Sequence, residues 1–371
     1  MNMRLVRILT ILLFIPFGAR AALLEMKIFG DSLSDTGNMH FLSTGAIPPE
    51  PIYYQGRFSN GPIWADQVAA ATGAGTVNNV YQSVLLSSGI DNFAVGGSYT
   101  GTFPFPDGSH NSNDLRLSPP MAVFPGLQQQ VQLYDILTGG GALLNPDAWH
   151  VVWAGANDIL FAPIVIDATP ETMAAVALQA VANIGTAVGD LYGLGAREFL
   201  IFNVPDIGAT PFGVAPIGGG PETLGPLLSF GSGVFNTGMN ILIDLLPELY
   251  PEIDVTLLDV DSLFSQLLAD VLVDPAVMAM FPDASEMSFV PPGLSFCFDQ
   301  DGLYASHGGP YFCFGSDPND RITYDLVHPS SRTHGIIAAA VVRATVPEPA
   351  ALTLMAIGLL VVWRARSGVK T

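Results

Sequence analysis

Charge and cysteine are scarce in this 371-residue chain: 12% of residues are charged and two are cysteine. Basic residues are rarer still, 13 against 33 acidic ones. Six of the 13 lie at the two ends (Arg4, Arg7, Arg20, Arg364, Arg366, Lys370), leaving 7 basic against 32 acidic residues between Ala22 and Thr345. So acidic a body excludes nucleic acid and other polyanions as partners. Two cysteines exclude a disulfide-dense scaffold. His40, His110, His150, His307 and His334 show no metal-ligand spacing with each other or with a cysteine, and the acidic stretches DQDG (299–302) and DPND (317–320) lack the calcium-loop signature. No metal and no cofactor is therefore expected. Internal repeats are also absent.

What is present is a large apolar fraction, 49%, with 39 glycines and 29 prolines. That composition gives one sizeable globular domain with long loops. The N-terminus pairs Arg4 and Arg7 with an apolar stretch from Ile8 to Phe17 and a small-x-small exit at Ala19-Arg20-Ala21. The stretch is too short to span a bilayer and has the layout of a cleaved secretory signal over 1–21, implying signal peptidase as a processing partner. At the other end, Val346-Pro347-Glu348-Pro349 precedes an apolar stretch from Ala350 to Trp363 and then Arg364 and Arg366. Residues 346–371 resemble the PEP-CTERM sorting signal of Gram-negative bacteria. The resemblance implies export, transient membrane anchoring and recognition by an exosortase, with the cell envelope or extracellular matrix as destination. Positive charge beyond the apolar run fits that orientation, and an ordinary anchor is the alternative. In an exported chain Cys297 and Cys313 most simply form one disulfide, two buried thiols being the alternative.

Between these ends, residues 22–345 alternate short apolar runs with helical patterns. Strands are expected at 23–29, 90–95, 149–154, 198–204 and 253–260, and helices at 62–71, 126–138, 169–192, 224–246, 262–272 and after Pro329. Runs that are apolar on both faces belong in a buried parallel sheet, so the expectation is a three-layer α/β/α sandwich with a central, mostly parallel, five-stranded sheet. Three Gly/Pro-rich loops (98–125, 208–225 and 281–320) would crowd its carboxyl edge, where ligands bind.

FGDSLSDTGN (29–38) follows the first strand. Ser32 sits in its turn, where a nucleophile would be displayed but where a lone serine is as readily a cap. Asp31 and Asp35 read as braces of that turn, and Asp206 as a turn residue. In YDLVHPSS, Asp325 precedes His328 by three, a spacing at which the carboxylate can hold the imidazole and leave its other nitrogen for a serine. NFAVGG (92–97) and AGAND (154–158) each end a strand, offering bare backbone N–H groups and the Asn157 amide to a developing oxyanion.

These four blocks, in this order, resemble the GDSL, or SGNH, hydrolase family. GRFSNGPIW (56–64) and NVPDIGATP (203–211) resemble its secreted lipase and lecithinase branch. The resemblance implies Ser32 as nucleophile, His328 as base, Asp325 as the acid orienting it, and Ser32 N–H, Gly97 N–H and the Asn157 side chain as oxyanion donors. Gly96 is the alternative to Gly97. Tyr324 stands where many relatives have tryptophan, and Ser98 where alanine is common. No GxSxG elbow occurs, which excludes the α/β-hydrolase arrangement. The expected function is an exported serine esterase or lipase. A polysaccharide O-deacetylase and a non-catalytic matrix-binding protein are the alternatives. Phe103, Phe105, Phe124, Phe212, Phe296, Phe298, Phe312 and Phe314 would either line an acyl pocket or bury their own loops.

Overall fold

The structure, a computed structural model, describes residues 24–101, 103–104, 110–111, 124–165, 168–214, 222–268 and 322–346. The secretory segment, residues 347–371 of the sorting segment, both cysteines and the whole 281–320 loop lie outside them.

In chain order the strands are β1 (Met26–Gly30), β2 (Asn78–Asn79), β3 (Ile90–Asn92), β4 (Phe103–Pro104), β5 (His110–Asn111), β6 (Trp149–Trp153), β7 (Glu198–Phe202) and β8 (Asp254–Leu258). Six of them form one sheet in the order β2-β3-β1-β6-β7-β8, parallel throughout, while β4 and β5 make a separate antiparallel pair. The five expected strands are all present. The sheet has six because β2 adds a polar edge of two residues, Asn78 and Asn79, too short for any apolar pattern to announce it.

The helices are α1 (Asn38–Leu42), α2 (Trp64–Thr72), α3 (Val80–Ser83), α4 (Leu127–Thr138), α5 (Ala156–Val165), α6 (Pro170–Leu194), α7 (Pro211–Val214), α8 (Gly225–Leu249), α9 (Val260–Leu268) and α10 (Ser331–Thr345). Thr169 caps α6 by accepting from the Thr172 N–H, with Pro170 at the first position, as its sequence predicts. Side-chain alternation along the strands sends one set of residues to each face. Phe29, Val152 and Phe199 join Tyr134, Ile184 and Phe235 of α4, α6 and α8 in one apolar layer. Ile28, Val151 and Leu200 join Trp64, Phe264 and Ile337 of α2, α9 and α10 in the other. Helices on both faces of a parallel sheet leave the carboxyl edge of β3, β1 and β6, three neighbours, as the open rim on which the chemistry-bearing turns converge.

Candidate active site

Ser32 lies two residues beyond β1. The strand can end there because Gly30 has φ +150°, and a β-carbon on it would overlap the Trp153 carbonyl oxygen. Gln130 of α4 holds the same residue through both its backbone groups: its Oε1 accepts the Gly30 N–H at 2.8 Å and its Nε2 donates to the Gly30 carbonyl at 2.8 Å. Asp35 secures the far end of the turn. One carboxylate oxygen accepts from Gly37 and Asn38 (2.7 and 2.6 Å) and the other from Met39 and Gly96 (2.9 and 2.8 Å). That last bond ties the serine turn to the glycine pair after β3.

His328 approaches from the turn before α10. The turn closes on itself through Tyr324 N–H to His328 carbonyl (2.7 Å) and Ser330 N–H to Ile322 carbonyl (2.9 Å), and Ser330 then caps the helix. Asp325 Oδ1 accepts the backbone N–H groups of Val327 and His328 at 2.9 and 2.7 Å. Asp325 Oδ2 lies 2.6 Å from His328 Nδ1, and His328 Nε2 lies 2.8 Å from Ser32 Oγ. A carboxylate only accepts, so Nδ1 carries the imidazole proton and Nε2 is left to accept from the serine hydroxyl. Burial alone would raise the Asp325 carboxyl, but the facing imidazole and the N–H donors hold it below the usual range, so the carboxylate is the stable form.

The other groups singled out from the sequence meet on the same rim. Gly97, with φ +76°, and Asn157, in the first turn of α5, line one cavity with Ser32 and His328. Among the described residues neither the Ser32 nor the Gly97 backbone N–H has an intramolecular acceptor. Asn157 Nδ2 donates one hydrogen to the Ser98 carbonyl at 3.0 Å, which fixes the amide. A hydroxyl, an imidazole and a carboxylate in series, beside two unused N–H donors and a fixed amide, can pass a hydroxyl proton and receive negative charge on an oxygen.

A family model described as GDSL-like Lipase/Acylhydrolase matches residues 27–341. The chain belongs to that family. A PEP-CTERM protein-sorting motif matches residues 345–367, which indicates export with exosortase processing. A phosphatidylcholine-sterol acyltransferase of Aeromonas hydrophila is 28% identical over 252 residues, 68% of this chain and 63% of that protein, so the chain spans under two thirds of this relative's length. A GDSL esterase/lipase of Arabidopsis thaliana is 24% identical over 338 residues, 86% of this chain and 91% of that one. Among solved structures, an alpha/beta hydrolase enzyme from the metagenome of Lake Arreo, Spain, aligns with TM-score 0.36 and 14% identity, covering 88% of this chain and 96% of that one.

Ser98, one of the two departures from the family pattern, is a fully buried tie. Its hydroxyl lies 2.6 Å from the Val95 carbonyl and accepts from Gln130 Nε2 at 3.0 Å, while its carbonyl holds Asn157. Tyr324, the other, donates its hydroxyl to the Ile52 carbonyl. Gln130 and Tyr53 are site neighbours that no sequence motif disclosed, and Phe58 lies in the GRFSNGPIW block. Tyr53 donates to Asp325 Oδ2 at 2.7 Å, and the Phe58 ring lies 5.0 Å from the His328 ring at an interplanar angle of 30°.

The cavity encloses about 280 Å³ and is lined chiefly by apolar groups, among them Leu33, Met39, Ile47, Leu160, Phe161 and Phe264. Phe212 is also in its wall, whereas Phe124 packs with Met39 and Val95 in a small core cluster, so these two phenylalanines take the two different roles expected of the loops. Phe103 lies in β4, and the remaining loop phenylalanines fall outside the described residues.

Proposed function

We propose that the chain is an exported serine esterase or lipase acting on carboxylic esters with an apolar acyl group. Ser32 Oγ attacks the ester carbonyl while its proton moves to His328 Nε2, and Asp325 stabilises the imidazolium that forms. The carbonyl oxygen becomes an oxyanion received by the Ser32 and Gly97 N–H groups and the Asn157 amide. Collapse expels the alcohol, which takes the proton from His328 and leaves an acyl-serine. Water, deprotonated by His328, then attacks the acyl carbon and releases the acid and the free serine hydroxyl.

The observation that carries this reading is the unbroken series from Ser32 Oγ through both ring nitrogens of His328 to Asp325, at 2.8 and 2.6 Å. The apolar lining supports a lipid or aryl acyl ester, and the Aeromonas relative, named for phosphatidylcholine and a sterol, is in keeping with it. Hydrolysis of p-nitrophenyl esters of increasing chain length tests the proposal. Each methylene buried in the cavity contributes about 0.8 kcal/mol, so kcat/KM should climb about fourfold per carbon from acetate until the cavity is filled. Ser32→Ala should remove the activity on every ester. A profile that peaks at acetate would favour a deacetylase instead, and activity undiminished in Ser32→Ala would exclude the serine mechanism.

A further inference from the structure

The Asp325–His328 turn is held by a segment more than 260 residues earlier in the chain. Along residues 52–63, Ser59 Oγ donates to the Pro329 carbonyl at 2.9 Å, Asn60 Oδ1 accepts the Ser331 N–H at 2.8 Å, and the Pro62 carbonyl accepts from Ser331 Oγ at 2.7 Å. The Tyr324 hydroxyl likewise donates to the Ile52 carbonyl. Tyr53 sits at the centre of this strap. It is 2% exposed, and its ring makes edge contacts with Tyr324 (5.5 Å, 84°) and Phe58 (6.1 Å, 62°). Its hydroxyl reaches the same Asp325 oxygen that faces His328 Nδ1, at 2.7 Å.

We infer that Tyr53 is a positioning residue of the reaction: its phenol shares Asp325 Oδ2 with His328, fixing the carboxylate's rotation and moderating the basicity of the imidazole. The inference rests on the serine-esterase reading above.

The carboxylate geometry gives the reason. Oδ1 is saturated by the Val327 and His328 backbone N–H groups, which belong to the same turn and move with it. Oδ2 takes one donor from the base it must orient and one, Tyr53, from the strap. Among the described residues, only the Tyr53 bond anchors the carboxylate to a body outside the turn. Its electrostatic consequence has a definite sign. A donor on Oδ2 draws off negative charge that would otherwise stabilise the imidazolium, so removing the donor makes His328 more basic. Asp31 of the serine turn, Tyr324 beside Asp325 and His334 of α10 are the other titratable groups that face this pair, and among the described residues none of them donates to Oδ2.

The test is Tyr53→Phe, which keeps the ring and its packing, assayed on a p-nitrophenyl ester across the pH range beside Ser32→Ala and His328→Ala. The expected result is a kcat lowered about tenfold, because the carboxylate loses the bond that fixes its orientation towards His328. KM should hold within about twofold, and the acid limb of the measured kcat/KM profile should move to higher pH. Wild-type kcat together with an unmoved acid limb would overturn the inference, as would a lowered kcat with no shift of the limb, the signature of a purely structural loss. Should Tyr53→Phe fail to fold, Tyr324→Phe releases the Ile52 carbonyl instead and should move the limb in the same direction by less, and an unmoved limb there would likewise overturn it. Loss of activity in Ser32→Ala and His328→Ala with an unaffected Tyr53→Phe sinks only this inference. Full activity in Ser32→Ala sinks the esterase reading itself.

Discussion

The two turns that supply the serine and the histidine are built in opposite ways. The serine turn is internally braced and sealed: Asp31, Ser34, Asp35, Thr36 and Asn38 are all buried, and Asp35 alone collects four backbone N–H groups, three of them within four residues of itself. The histidine turn is partly open, with the His328 side chain 15% exposed, and its attachments come from the distant strap at 52–63. A nucleophile whose attack angle must be exact gains from a rigid local frame. A base that must accept a proton from one partner and return it to another can be held by a looser external one. The contrast also separates stability from rate, because Asp35 alone seals four backbone N–H groups in the serine turn, whereas the strap meets the histidine turn through single bonds.

Breaking the first turn should therefore cost most in stability. Asp35→Ala leaves the N–H groups of Gly37, Asn38, Met39 and Gly96 buried without acceptors, and thermal or denaturant unfolding should report a loss of about 3 kcal/mol or more. Cutting the strap with Ser59→Ala removes one bond to the Pro329 carbonyl, and the same measurement should report only about 1 kcal/mol. Its larger effect should fall on kcat, lowered severalfold. Equal stability losses in the two variants would erase the distinction.

The smallest effect sharpens the comparison through pH. Burial pushes the Asp31 carboxyl up to about 7, despite the Leu33 N–H bond and His328 pulling it down, and Asp158 and Asp35 add to the rise. Its Oδ2 has no partner among the described residues. A folded-state value above the unfolded one means that the group's stabilising contribution is complete below about pH 4 and is lost as pH rises through about 7. Asp31→Asn keeps the oxygen that accepts from Leu33 and removes the charge. The Tm of the wild type should fall between pH 5 and pH 8 more steeply than that of Asp31→Asn, and parallel curves would refute the assignment.

Much of this was legible before any coordinates. Apolar runs such as WHVVWA and EFLIFNV announced strands because both faces of a parallel sheet are buried, and the Asp325–His328 spacing of three announced their bond because one tight turn decides it. Edge strand β2, Asn78 and Asn79, is held by pairing with Asp91 and Asn92 and carries no apolar signature. The helix from Ala156 was hidden because GAND reads as a loop after a strand, and Pro163 lies within it. Gln130 and Tyr53 were invisible for a deeper reason. Their contacts span 100 and 272 residues, and neither side chain belongs to a motif.

Covalent labelling with a fluorophosphonate, read by peptide mass spectrometry, tests the proposed activation of Ser32 by His328. One adduct per chain, on Ser32, is expected in the folded wild type, with its near-complete loss in His328→Ala. A wild-type protein that stays unlabelled, or that carries the adduct on another serine, would contradict it.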